Sequence, residues 1–248
     1  MKTQLNGCIV ADEDAWIYRF FGYTVSSPGD IRRAVEENPP GETLTVEINS
    51  PGGNMFAGFE MYSVLRGAAC DTEAEVQSLA ASAASTAMLG CKRVRASPVA
   101  QVMVHNPAVT ADGNQYDHRK TAEDLEKFAQ SVLNAYELKC RGKRTRAELE
   151  SMMDAETWLP VQEAVEAGLV DEIIGGGSLL PAQVVNCVGG GLRALCGTGG
   201  LPSAAELRAK KAELDAQAAQ SGGAPVEEPD QRGERERLAV SLSMKKYY

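Results

Sequence analysis

Apolar residues recur along this chain at two spacings. Thr43-Leu44-Thr45-Val46-Glu47-Ile48 alternates and is rich in β-branched residues, which predicts a strand. Arg93-Val94-Arg95 and Ala100 to Val104 read as strands on either side of Ser97-Pro98. Ala15 to Phe21 reads as an aromatic strand, Glu73 to Val76 as a weak one, and Leu169 to Ile174 as a last one. Elsewhere the period is helical. Leu125, Phe128, Ala129, Val132, Leu133 and Tyr136 fall at i, i+3, i+4, i+7, i+8 and i+11, predicting a long helix from Tyr116 to Cys140 that Gly142 ends. Shorter helices are expected from Ser27-Pro28 through Val35, over Phe56 to Leu65, over the small residues Ala81 to Gly90, and over Pro160 to Gly168. A further one follows Thr145, with Glu148 completing a capping box. Strands alternating with helices predict an α/β fold with a mostly parallel sheet and right-handed crossovers.

The pattern changes near residue 175. Glycines crowd together at 175–177, 189–191, 197 and 199–200. Ala204 to Gln220 then holds good helix formers with little apolar surface. The division expected is one domain over 1–176 and, over 177–248, a Gly-rich linker with a marginally helical, largely disordered tail.

Composition narrows the function classes. The 248 residues are 44% hydrophobic, enough for a packed core, and the net charge of -9 repels phosphate, so no nucleic-acid partner is expected. No apolar run is long enough to span a membrane, and the first eight residues are too polar for a signal peptide. A cytoplasmic chain with reduced thiols is the expectation, since the six cysteines form no Cys-x-x-Cys pair. Neither of the two histidines, His105 and His118, has a second ligand at metal spacing, so no metal or other cofactor is expected.

Candidate chemistry sits at strand ends. Asn49-Ser50-Pro51-Gly52-Gly53 reads as a tight turn whose glycine N–H groups could serve as oxyanion donors; a plain strand-to-helix turn is the simpler account. Ser78, Ser82 and Ser85 lie where a strand gives way to a small-residue helix, and composition does not choose among them as nucleophile. His105 closes a strand, where a general base would sit; His118 lies among charged residues at a solvated helix start. Asp154 and Glu156, next to Trp158, are candidate carboxylates to orient an imidazole, or simply an acidic turn.

Taken in order, Ile48-Asn49-Ser50-Pro51-Gly52-Gly53, Ala80-Ala81-Ser82, Met103-Val104-His105-Asn106-Pro107, and Glu156-Thr157-Trp158-Leu159 with Gly168-Leu169-Val170-Asp171 resemble the ClpP family, the Clp protease proteolytic subunits. The likeness is greatest to its phage head-maturation (prohead) branch. It covers roughly residues 8 to 175. It implies a crotonase-like fold of stacked ββα spirals, a homo-oligomeric ring with the long helix as the handle between rings, and serine endopeptidase activity on peptide or protein substrates. Carried over by position, Ser82 is the nucleophile and His105 the base. The oxyanion donors are the N–H groups of Gly52, helped by Gly53, and of Ala83. The family's aspartate position falls on Glu156, with Asp154 two residues earlier as the alternative. Capsid or scaffold proteins and a Clp-type ATPase are the implied partners, in host cytoplasm or prohead. No nucleotide motif is present, so any ATP dependence comes from a partner. The competing expectations are a catalytically silent ring or assembly subunit, and an acyl-CoA enzyme of the crotonase type.

Overall fold

The computed structural model describes residues 1–175 and 201–220. In chain order the elements are β1 (Lys2–Ile9), α1 (Asp12–Phe20), β2 (Val25–Ser26), α2 (Pro28–Glu37), β3 (Leu44–Gly53), α3 (Met55–Gly67), β4 (Thr72–Ala81), α4 (Ala83–Met88), β5 (Arg93–Ala96), β6 (Gln101–Val104), α5 (Gln115–Cys140), α6 (Arg146–Asp154), β7 (Thr157–Pro160), α7 (Val161–Ala167), β8 (Glu172–Ile173) and α8 (Ala204–Gln220).

The strands form an open sheet in the order β2-β1-β3-β4-β5-β8. Every pairing in that row is parallel. The sheet forks at β4. Residues Glu73–Val76 of β4 pair with β5, whereas Leu79–Ala81 pair with β6, which then pairs antiparallel with β7. One sheet face is apolar: Leu5, Leu44, Val46, Ile48, Val76 and Val94 are fully buried against Met61, Leu65, Met88 and Tyr136 of the helices. The other face is charged. The register aligns Glu47, Glu75, Arg95 and Glu172 across four strands. Arg95 Nη1 bonds Glu73 at 3.0 Å and Glu75 at 3.2 Å, and Lys2 Nζ bonds Glu47 at 2.7 Å. The fold is thus the mixed α/β, mostly parallel architecture expected.

Several expectations are corrected. Ala15 to Phe21 is not a strand. Asp12–Phe20 forms α1, with Asp12, Glu13 and Asp14 in its first turn, where carboxylates favour the helix dipole. The Asn49–Gly53 segment is not a tight turn but the continuation of β3, pairing with β1 through a register shift between Asn6 and Cys8. Ser78 belongs to β4 and donates to Asn49 Oδ1 at 2.6 Å, so it opens no helix. The small-residue helix is shorter than its sequence suggests and begins only at Ala83. Three strands had no counterpart in the sequence pattern: β1, the two-residue β2, and β7. The helix expected over Ala204 to Gln220 is present as α8. The linker and the remainder of the tail, 176–200 and 221–248, lie outside the described residues.

Candidate active site

Strand register explains why residues far apart in sequence meet. Ser50 pairs with Ala80, and Ala80 with Val102. Two residues further along three parallel strands come Gly52, Ser82 and Val104, and His105 is the next residue. The antiparallel pairing of Val104 with Thr157 brings Glu156 level with His105. Four stretches of chain therefore meet at one edge, at the carboxyl ends of β3, β4 and β6 and the amino end of β7, where open α/β sheets bind ligands.

Ser82 sits where β4 turns sharply into α4, with φ 56 and ψ -126. A non-glycine residue at positive φ costs on the order of 1–3 kcal/mol and persists only where its surroundings fix it. Here they do. The Ser82 N–H donates to the Met103 carbonyl at 3.0 Å. Its own carbonyl accepts from the Ser85 and Thr86 N–H groups at 2.9 and 3.3 Å, and from Ser85 Oγ at 2.7 Å. Ser85 Oγ is also 2.8 Å from the buried Tyr136 hydroxyl, which pins α4 to α5. Ser85 is therefore committed to the scaffold.

The strained turn presents Ser82 Oγ to His105 Nε2 at 2.7 Å. An imidazole at that distance can take the hydroxyl proton. Burial is the larger influence on His105 and pushes its pKa below the usual histidine value, while the negative charge of Glu156 acts in the opposite sense. The net shift is downward, so the ring is neutral and able to act as a base at pH 7.

Around this pair the remaining candidates divide. Gly52 lies directly against the serine. A Cβ there would stand 2.7 Å from Ser82 Cβ, 2.6 Å from the Ala81 carbonyl oxygen and 2.9 Å from Ala83 N, and its φ of +91 suits only glycine. Its N–H donates to Ser50 Oγ at 3.1 Å, and Ser50 Oγ in turn donates to the Gly7 carbonyl at 2.6 Å. Ser50, fully buried, is a polar partner of the site that the sequence motif contained without assigning it a role. Gly53 is turned toward β1, where a Cβ would strike the Ile9 carbonyl at 2.2 Å and Cys8 Sγ at 2.8 Å. Ala83 is the first residue of α4, so its N–H has no acceptor within the helix. Asp154, the last residue of α6, accepts from Asn106 Nδ2 at 2.7 Å and so anchors the segment after His105. Glu156 is half-buried at φ 49, and it is the carboxylate whose charge acts on the imidazole. His118 is exposed on α5 and is not among the residues that line the cleft holding Ser82 and His105.

The pair opens into a cleft of about 660 Å³ between the end of β3, α3 and the long helix α5. Phe56, Phe59, Leu125, Phe128 and Val132 give it an apolar lining, with Phe56 and Phe128 in edge-to-face contact at 5.3 Å. Cys8 and Leu201 line it too, and neither stood out in the sequence. Among the described residues no group of three or more His, Cys, Asp or Glu side chains could hold a metal ion, and no helix is long and apolar enough to cross a membrane.

Comparison with known proteins agrees with this architecture. The fold is an open, mostly parallel α/β sheet with a serine–histidine contact at its carboxyl edge. The sequence profile of the Clp protease family matches residues 33–176, more than half of the chain. The chain belongs to that family. Similar proteins include the ATP-dependent Clp protease proteolytic subunit of Bacteroides fragilis, 30% identical over 137 residues, which are 54% of this chain and 65% of the relative. Another is the protein of the same name from Porphyromonas gingivalis, 30% identical over 142 residues, 54% of this chain and 61% of the relative. The ATP-dependent Clp protease proteolytic subunit 1 of Chlamydia muridarum is 31% identical over 144 residues, 56% of this chain and 74% of the relative. The chain thus spans less than two thirds of the first two relatives.

Proposed function

We propose that this chain is a serine endopeptidase of the ClpP type, with Ser82 as nucleophile, His105 as general base and Glu156 as the carboxylate that orients the imidazole. The observation that carries this reading is the 2.7 Å contact between Ser82 Oγ and His105 Nε2 inside an apolar cleft. His105 takes the proton as Ser82 Oγ bonds to the peptide carbonyl carbon. The resulting oxyanion is held by the Ala83 N–H and by the Gly52 N–H, which exchanges Ser50 Oγ for the substrate oxygen. His105 returns the proton to the departing amine, and water, deprotonated by the same ring, releases the acyl group. Asp154 is a positioning residue that acts through Asn106.

The finer parts of the proposal rest on the likeness to the family. They are a homo-oligomeric ring, a Clp-type ATPase as the source of any ATP dependence, and capsid or scaffold protein as substrate, as in the phage head-maturation branch. A cytoplasmic location, or the prohead interior, belongs with them. A second reading, an assembly subunit without catalysis, draws on one observation: the Gly52 N–H is already engaged by Ser50 Oγ.

One experiment separates the two. Under the peptidase reading a fluorophosphonate probe labels the wild-type chain at Ser82, and both labelling and peptide cleavage are lost in Ser82→Ala and His105→Ala. Absence of labelling in a folded wild-type chain favours the assembly subunit.

A further inference from the structure

The chain beyond the family-matched residues returns to the cleft. α8 packs on α1, and together they close a second, smaller core in which Ile17, Tyr18 and Leu207 are buried, Leu207 to 3% exposure. Ties of several kinds hold the pair. Tyr18 Oη donates to the Pro202 carbonyl at 3.0 Å. Arg208 Nη2 meets Asp14 Oδ1 at 2.6 Å and donates to the Glu13 carbonyl at 3.0 Å. Lys210 and Lys211 lie over the rings of Phe21 and Phe20 at 5.5 and 5.2 Å. Leu201 stands at the head of this arm. With Cys8, it packs against the small core, and the same two residues line the cleft that holds Ser82 and His105. One leucine is thus shared between a docking interface and the site.

We infer that α8 is a latch that holds Leu201 as one wall of the substrate cleft, so that Leu201 limits the bulk of the peptide side chain accepted there and release of the latch opens that end. The wall depends on the peptidase reading; the latch does not. α8 has little apolar surface of its own, and most of the stability of a helix in a protein comes from the tertiary packing of its apolar face. Its half-exposed ion pair with Asp14 adds little by itself. Docking therefore rests chiefly on Leu207 and the aromatic residues of α1, and single substitutions can shift it.

The wall is tested with Leu201→Ala and Leu201→Trp on peptides in which one position varies from alanine to tryptophan. Removing the leucine side chain should raise kcat/KM for the bulky peptides roughly tenfold relative to the small ones, and tryptophan should reverse the preference. Unchanged selectivity in both variants overturns the wall. The latch is tested by the rate of iodoacetamide alkylation at Cys8, mapped by mass spectrometry, in Leu207→Asp and the milder Leu207→Ala, which removes part of the buried contact. Undocking should speed Cys8 modification roughly fivefold or more, while the buried Cys91 and Cys140 stay protected. Equal Cys8 rates in wild type and both variants overturn the latch, and if Leu207→Asp also exposes Cys91, Leu207→Ala decides. Alkylation requires no catalysis. A wild-type chain that neither labels with fluorophosphonate nor cleaves peptide defeats the peptidase reading and leaves the latch to be judged on Cys8 alone.

Discussion

At the scale of single residues, the structure gives the two candidate carboxylates different partners. Asp154 is engaged by Asn106 at 2.7 Å, whereas Glu156 is the group whose charge raises the His105 pKa against the lowering effect of burial. The sign of each effect makes the assignment testable. A base with a depressed pKa stays neutral to lower pH, so the acid limb of kcat/KM should lie below the ordinary histidine value of 6.5. Glu156→Gln removes the charge that favours imidazolium. The limb should then move further down in pH, with kcat reduced roughly 10- to 1000-fold through loss of ring orientation. Asp154→Asn should leave the limb where it is and cost less. A pH–rate profile for the three proteins checks this, and a limb displaced by Asp154→Asn alone would transfer the role. Gly52 gives a second prediction. A methyl group there meets the Ala81 carbonyl at 2.6 Å and Ser82 Cβ at 2.7 Å. Gly52→Ala should therefore displace the serine turn and reduce fluorophosphonate labelling at least roughly tenfold in a chain that still folds, because small misplacements of a reacting group are costly. Wild-type labelling would mean that Gly52 does not support the serine turn.

At the scale of elements, the site depends on α4 and α5 holding the strained serine in place. Ser85 and Tyr136 make that connection through a buried 2.8 Å contact. Tyr136→Phe deletes it but leaves Ser85 Oγ bonded to the Ser82 carbonyl. The expected loss is about 1 kcal/mol, which lowers Tm by roughly 2–4 °C in a chain of this size. Calorimetry showing no change would mean that the contact adds nothing to the fixing of the turn. Elements with strong local signals were legible in the sequence: α5 through its apolar stripe, α2 through Ser27-Pro28, α6 through Thr145 and Glu148. Those that tertiary pairing defines were not. β1 buries only Leu5 and Ile9 in an otherwise polar run and becomes a strand by pairing with β3. β7 is four residues long and hidden behind an acidic turn. α1 carries an aromatic run that looks extended, and its N-cap residue, Ala11, makes no side-chain cap bond. The candidate residues were legible because the family resemblance preserves their order. The commitments of Ser50 and Asn106 were not, since register and side-chain direction decide them.

At the scale of the whole molecule, the ring proposed above requires surface that one subunit leaves uncovered. Phe56, Val109 and Tyr116 are 58%, 60% and 69% exposed; the first two line the cleft, and Tyr116 opens α5. Large apolar side chains left exposed around a cleft and on an adjoining helix are more than scattered surface hydrophobics and suit contact between copies. Charge opposes that contact, because copies carrying a net charge of -9 repel one another. Salt screens the repulsion. Sulfate additionally strengthens apolar burial. Both effects have the same sign, so the assembled fraction should rise from low-salt buffer to sulfate, whereas an assembly held by ion pairs would dissociate. Tyr116→Asp adds a charge to the proposed contact and should shift the mass distribution toward the single chain at every salt concentration. Sedimentation velocity across a sulfate series measures both responses. A chain that sediments as a monomer throughout would remove the ring, and an oligomer that weakens with salt and ignores Tyr116→Asp would move the contact to the charged face of the sheet, where Glu47, Glu75, Arg95 and Glu172 lie in one row.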